Sequence, residues 1–423
     1  MTPDAPTFPP SLSVTEHLDR ILGSVTRLPA VTIPIAQALT LTLAEDVHAA
    51  VTVPSFDNSA MDGYALRKVD AASATAETPV MFRVVADLPA GSAENPRLGA
   101  GETARIMTGA AVPDDADCIV PIEETDQGTQ IVLVSRAPQA AAHIRREGAD
   151  VRTGDTVLTA GRVLGPRDLA AAAAVGVSHL SVYPAPRVGV LSTGSELREP
   201  GAPLERGQIH DSNSLLLAAM IAEGGGIPIQ LGSVPDDDDA FEEILRTHAD
   251  QVDAFVTSGG VSVGAYDIVK AVLAPLGVWF GPVRMQPGKP QGFGRFPVAG
   301  EPTTGATGPA IFALPGNPVS VFVSFEAFVR PALLTMAGRS QIFRATQRVT
   351  TSVGWRSPRG RAQYMPAIVA WDDAGTASVR PATAGGSGSY LVASLAKANA
   401  LALVPEDVTE VFAGDVLTVT LVS

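Results

Sequence analysis

The sequence predicts a multidomain protein of the α/β and β class, and three observations carry that reading. Its 423 residues exceed one domain at about 150 residues per domain, so two to four are expected. Between Arg187 and about Gly338, apolar strand-like runs alternate with helical stretches, as a parallel-type sheet with helical crossovers requires. On either side, at residues 78–135 and beyond 345, short apolar runs are split by turn residues, the pattern of small β modules.

Each element follows from local chemistry. Four prolines mark the first ten residues as a disordered leader. Ser13 and Glu16 have capping-box spacing, and Leu18, Ile21, Leu22 and Val25 recur at helical intervals, predicting a helix over about 14–27. The runs Val80–Val85, Thr103–Thr108, Cys118–Ile122 and Gln130–Val134 read as strands, and residues 167–180 as a helix, so the β module is expected as an insertion in a mostly helical domain. RVGVL (187–191), IPIQLGSV (227–234), AFVTS (254–258) and AIFAL (310–314) read as strands of the α/β part. Helices are expected over 214–223, 241–248, 267–275 and 318–337, with Asp236 to Asp239 complementing the dipole of the second. Val349–Val353, Ala367–Trp371, Leu401–Val404 and Val416–Val422 then suggest a small closed or sandwich-like β domain.

Composition removes several function classes. With 30 basic and 44 acidic residues the net charge is −14, which argues against a sequence-independent nucleic-acid binder. The single cysteine, Cys118, excludes an intramolecular disulfide and any multi-cysteine metal site. Neither a secretory signal nor an uninterrupted apolar span of membrane length is visible, so a cytoplasmic protein without membrane contact is expected.

Three Gly-containing loops follow strands at one edge of the expected sheet: STGSEL (192–197), TSGGVSVG (257–264) and LPGNPVS (314–320). Glycine lets backbone approach an anion, and the helix start that follows offers free N–H groups, so a phosphate-bearing ligand suits them. No Walker or dinucleotide-binding fingerprint is present. GVSVG (260–264) matches a nucleophile elbow formally, yet all six histidines precede Ser262, which removes the serine-hydrolase reading. Asp62, Asp150, Glu196 and Asp267 stand beside glycines or at element ends, where carboxylates either cap or hold Mg²⁺ against phosphate oxygens. The segment MQPGKPQGFG (285–294) is the best anion candidate: Lys289, fixed between Pro287 and Pro290, is either an anion donor or a solvated surface lysine.

SFDNSAMDGYAL (55–66), IMTGAAVPDDAD (106–117), IRREGAD (144–150), LSTGSEL (191–197), VTSGGVSVG (256–264), PGKP (287–290) and LPGNPVS (314–320) together closely resemble the molybdopterin molybdenumtransferase family. These are the bacterial MoeA-type enzymes, related to the E domains of gephyrin and of its plant counterpart. The motifs run in family order through nearly the whole chain. The resemblance implies a helical N-terminal domain (11–54 plus 141–183), an inserted β module (55–140), a molybdopterin-binding α/β domain (184–340) and a C-terminal β-barrel (341–423). It implies a homodimer whose active cleft lies between one subunit's α/β domain and the other's β module. The implied reaction is Mg²⁺-dependent: adenylyl-molybdopterin and molybdate give molybdenum cofactor and AMP. Transient contact with the molybdopterin adenylyltransferase and with cofactor-accepting enzymes belongs to the same expectation.

Residue by residue, the resemblance puts Asp62, Thr108, Asp150, Glu196, Asp236, Asp267 and Lys289 on positions tied to activity. Glu196 and Asp267 are the expected Mg²⁺ ligands. Ser192, Thr193, Gly194, Ser258, Gly259, Gly260, Ser262, Pro315, Gly316, Asn317, Pro318 and Ser320 are the expected pterin and phosphate contacts, with Arg361 and Ser394 as further anion contacts from the barrel. Two positions depart from the pattern: Gln286 replaces a common second lysine, and Ala265-Tyr266 precede Asp267 in place of an acidic and a small or basic residue. The competing reading is a non-catalytic molybdopterin-binding or scaffold protein of the same fold. The presence of Asp62, Glu196, Asp267 and Lys289 favours the enzyme.

Overall fold

The structure, a computed structural model, describes residues 10–234, 237–261, 267–298, 307–383 and 388–422. The chain divides into two compact units. One comprises residues up to Val31, Thr40–Ala44 and everything from Val182 onward; the other comprises Thr32–Leu39 and Glu45–Ser181.

Helix α1 (Val14–Ser24) starts on the expected box: Ser13 Oγ accepts the Glu16 N–H at 3.1 Å, and Glu16 accepts the Ser13 N–H at 2.6 Å. It stops three residues short of the prediction. Its apolar stripe requires a partner, and Ile21 and Val25 find one in the core of the α/β domain, beside Val188, Phe312 and Phe328.

The smaller unit is built on a five-stranded sheet. Its strands are β1 (Gly63–Leu66), β2 (Val80–Leu88), β3 (Glu102–Ile106), β4 (Cys118–Pro121) and β5 (Ile131–Val134), in the order β4-β1-β3-β2-β5. Only β2 and β3 pair in parallel. Period-two alternation sends Phe82, Val132 and Val134 inward and leaves Met81, Ile131 and Leu133 outside. Helix α2 (Pro166–Ala174) begins with Pro at its first position and ends at Gly176 (φ 83°), where the Gly176 and Val177 N–H groups close the last turn on Ala173 and Ala172. The predicted helix over 167–180 is therefore cut short, and His179–Tyr183 is a strand. Apart from α1, α2 and a 3-10 turn at Ile35–Gln37, the regular structure in segments 11–54 and 141–183 consists of short strands, so the expected helical character is confined to those elements. The β-branched residues and turn glycines there favour pairing over helix.

The α/β domain carries β6 (Arg187–Thr193), β7 (Ile227–Val234), β8 (Ala254–Ser258), β9 (Trp279–Pro282), β10 (Pro290–Arg295) and β11 (Ala310–Leu314), ordered β7-β6-β8-β11-β10-β9. The first four are parallel, as expected; β10 and β9 extend the sheet antiparallel. Every residue of β8 and β11 is buried, as in a sheet covered on both faces. On one face pack α1, α3 (Asn213–Glu223) and the run Pro318–Met336; on the other, α4 (Asp238–His248) and α5 (Ile268–Leu273). Asp237 caps α4, accepting the Ala240 N–H at 3.0 Å. The run Pro318–Met336 joins α6 (Pro318–Ser324) to α7 (Arg330–Met336) through a π-turn at Phe325–Val329. It is the one helical run among the described residues long and apolar enough to cross a membrane, and 72 % of its apolar window is buried inside the protein.

The C-terminal strands β12 (Thr346–Thr351), β13 (Ala362–Trp371), β14 (Ala377–Pro381), β15 (Ala400–Val404) and β16 (Val416–Leu421) close in the cycle β13-β14-β12-β16-β15-β13. A barrel rather than a sandwich results, around Val349, Met365, Val379, Ala402 and Val419. The two residues Met285–Gln286 add a parallel bridge to β13, and Gln286 pairs with Gln363.

Candidate functional site

In the α/β domain the three Gly loops leave the carboxyl ends of β6, β8 and β11, where open α/β sheets gather ligands. They sit shoulder to shoulder. Gly259 has φ 99°, and a Cβ there would meet the Thr193 carbonyl oxygen at 2.8 Å, so only glycine lets the second loop approach the first. Its N–H donates to Leu314 O at 3.0 Å, tying the second loop to the third.

Ser192 and Ser258, expected to contact ligand, are buried and spent on structure. Ser192 Oγ lies 3.0 Å from Ser258 Oγ and 2.8 Å from Ser214 Oγ, and donates to Asp211 at 3.2 Å. Asp211 also accepts the N–H groups of Asn213 and Ser214 and the Ser214 hydroxyl. It thereby fixes the start of α3 to the ends of β6 and β8. Sequence reasoning missed Asp211; the signal was an aspartate opening DSNS at a helix start, where Asp is a preferred cap. Asn213 Nδ2 reaches across to Gly316 O at 2.7 Å, so the same helix start also holds the PGNP turn.

A cleft of about 580 Å³ opens where these loops meet the barrel. Of the expected ligand contacts, Gly259, Gly260, Pro315, Gly316, Asn317 and Ser320 line it, whereas Ser192, Thr193, Gly194, Ser258 and Pro318 do not. Lys289 and Gln286 line it from the PGKP segment, and Arg361 from the barrel. Ser394 does not; Ser389 and Tyr390 take that side. Among the described residues the lining has two cations and no carboxylate. Glu196 and Asp267 stand on neighbouring loops instead. Glu196 is exposed, its carboxylate folded over Gly194, and Asp267 is half-buried at the start of α5. Asp236 and Ser262 lie outside the described residues.

Glu196 and Asp267 are both carboxylates, the oxygen donors that a hard divalent cation takes. Among the described residues no group of three or more His, Cys, Asp or Glu gathers for a metal. Mg²⁺ needs none, since it is commonly held by one or two carboxylates, waters and substrate phosphates. Glu196 and Asp267 fit that pattern.

In the smaller unit three motifs converge. The segment 55–66 meets 144–150 through Asn58 opposite Arg145, Ser59 opposite Ile144 and an Arg146–Asp57 ion pair. Ser59 bonds the third motif in both directions, through Gly109 N and Ala110 O. Asp62 accepts both the N–H and the hydroxyl of Thr108 at 2.7 Å. That backbone bond first, and the hydroxyl bond second, hold the exposed Asp62 carboxyl below the usual range. Asp150 is exposed and donates its N–H to Val53 O. Asp62 and Thr108 are thus a contacting pair, with Asp150 on the same converging segments. Cys118 takes no part: burial pushes its thiol up to about 12, and it is inert.

The larger unit defines a multidomain α/β class of protein, in which the loops at the strand ends of a mostly parallel sheet and a small β-barrel line one cleft. Comparison with known families agrees. Residues 12–176 match the MoeA N-terminal region (domain I and II), 189–335 a probable molybdopterin binding domain, and 348–422 the MoeA C-terminal region (domain IV). The chain is 43 % identical over 414 residues to a Mycobacterium tuberculosis protein named molybdopterin molybdenumtransferase 2, covering 96 % of this chain and 98 % of that one. A Staphylococcus aureus molybdopterin molybdenumtransferase is 32 % identical over 399 residues, 93 % of this chain and 91 % of the other. The crystal structure of a molybdopterin biosynthesis MoeA protein from Pyrococcus horikoshii superimposes with a TM-score of 0.78 at 28 % identity, over 97 % of this chain and 99 % of that one. The chain belongs to the molybdopterin molybdenumtransferase family, and it is a transferase with a role in molybdenum cofactor biosynthesis.

Proposed function

We propose that this enzyme inserts molybdenum: adenylyl-molybdopterin and molybdate are converted to molybdenum cofactor and AMP, with Mg²⁺. The observation that supports it most is the cleft carrying Lys289, Arg361 and Ser320 beside the strand-end loops, with cations and a hydroxyl but no carboxylate in its described lining. A tetra-oxo dianion and a pterin phosphate both need such donors. In this reading Lys289 and Arg361 hold molybdate, and Ser320 with the Pro315–Pro318 turn holds the pterin phosphate. Asp211, through Ser214 and Asn213, keeps the floor of that site in register. Mg²⁺, when bound by Glu196 and Asp267, would neutralise charge on the adenylyl phosphate. A molybdate oxygen attacks the molybdopterin-side phosphorus of the phosphoanhydride, the P–O bond to AMP breaks and AMP leaves; the Mo–O bond to that phosphate then breaks as the two pterin thiols bind molybdenum, and one molybdate oxygen departs with the two thiol protons as water.

Asp62, Thr108 and Asp150, carried by the smaller unit, are proposed to complete the site from a second subunit, which makes the working form a homodimer in the cytoplasm. The molybdopterin adenylyltransferase and cofactor-accepting enzymes are its proposed transient partners. Asp267→Ala is the direct test: the variant keeps the parent's melting temperature and loses molybdate-dependent AMP release. A well-folded variant that turns over like the parent contradicts the site assignment.

A further inference from the structure

We propose that Gln291 and Ser324 form a buried clamp beneath the Gly288–Lys289 turn and set the cleft's affinity for its oxyanion by positioning Lys289. The inference rests on the reading of Lys289 as an anion donor given above. Gln291 is 1 % exposed and Ser324 fully buried. The Gln291 Nε2 group donates to Gly288 O and to Ser324 Oγ, each at 2.7 Å. Gln291 and Phe293 share one face of β10, and Phe293 belongs to the main apolar core. An apolar side chain would suit that position, and an amide there is costly unless both N–H groups are used. Both are used, and one holds the turn that carries the lysine.

The turn is held on its other side as well. Lys289 O accepts the Val283 N–H at 2.7 Å, and Pro290 follows directly. Gly288 has φ 99°, and a Cβ there would meet Ser324 Oγ at 2.9 Å, so the backbone rests on the clamp itself. Ser324 lies one helical turn beyond Ser320 on α6. One hydroxyl of that helix therefore faces the cleft while the next supports the lysine turn. Of these three residues only Lys289 contacts the anion; Gln291 and Ser324 act through it.

The test measures molybdate binding calorimetrically for the parent, Lys289→Met, Gln291→Leu, Ser324→Ala and the Lys289→Met/Gln291→Leu double variant, with melting temperatures alongside. Lys289→Met is expected to weaken binding about tenfold, Gln291→Leu about fivefold and Ser324→Ala, which keeps the Gly288 bond, about twofold. The double variant should bind no more weakly than Lys289→Met, because the lysine is what the clamp positions. Lys289→Met binding like the parent overturns the anion-site reading and the clamp with it. If Lys289→Met binds weakly while Gln291→Leu binds like the parent, the clamp alone is overturned. A fivefold loss added in full on top of Lys289→Met also overturns it. Should Gln291→Leu fail to fold, Ser324→Ala decides: parent-like affinity there contradicts the proposal.

Discussion

Gln286 shows how one side chain can tune the site. It lines the cleft together with Lys289, and its backbone is anchored to the barrel through its pairing with Gln363. A neutral amide there orients an oxyanion but attracts it less than a second cation would. Gln286→Lys adds one charge in a solvent-accessible cleft, a gain of about 1 kcal/mol, or roughly fivefold in molybdate affinity, after screening. Molybdate titrations of AMP release at two ionic strengths check this. Tightening at low salt that fades at high salt is expected, and an unchanged half-saturating concentration at both would remove Gln286 from the oxyanion shell. At this scale the sequence was only half legible. Lys289, Gln286 and Ser320 stood out because prolines, glycines and family motifs framed them. Asp211 did not, because its role depends on contacts with Ser192 and Ser214 that spacing cannot reveal. The mutual bonds of Ser192 and Ser258 were hidden for the same reason: a hydroxyl at a strand end looks alike whether it faces a ligand or a neighbouring serine.

At the scale of elements, the docking of α1 has a pH-dependent consequence. His17 is buried, its ring 5.0 Å from Trp279 and 4.7 Å from Phe328, and Nδ1 has no hydrogen-bond partner among the described residues. Burial first, and the Arg20 cation second, depress its pKa from 6.5 to about 3. The folded state therefore disfavours the protonated ring while the unfolded chain takes the proton near pH 6.5. Stability from this group is fully present above pH 6.5 and falls as pH drops toward 3, by an amount on the order of a few kcal/mol. His17→Phe removes that dependence. The parent should melt progressively lower than the variant between pH 6.5 and 4, whereas parallel melting curves would show that α1 tolerates a charged ring. Elements were legible where burial was uniform. The apolar runs of β6, β8 and β11 announced themselves; β9 and β10, written as WFGP and PQGFGR, did not, because glycine and proline mask strand propensity.

For the molecule as a whole, the matched motifs fall into two compact units, Asp62 and Thr108 in one and Lys289 with Ser320 in the other. A homodimer in solution is the expected working form, and sedimentation showing an active monomer at micromolar concentration would exclude it. Release of AMP from adenylyl-molybdopterin is the decisive assay for molybdenum insertion by this enzyme. With Mg²⁺ and molybdate together, the purified protein should release AMP and form molybdenum cofactor; leaving out molybdate should suppress both. AMP release that ignores molybdate, or no release under any condition, would contradict the account.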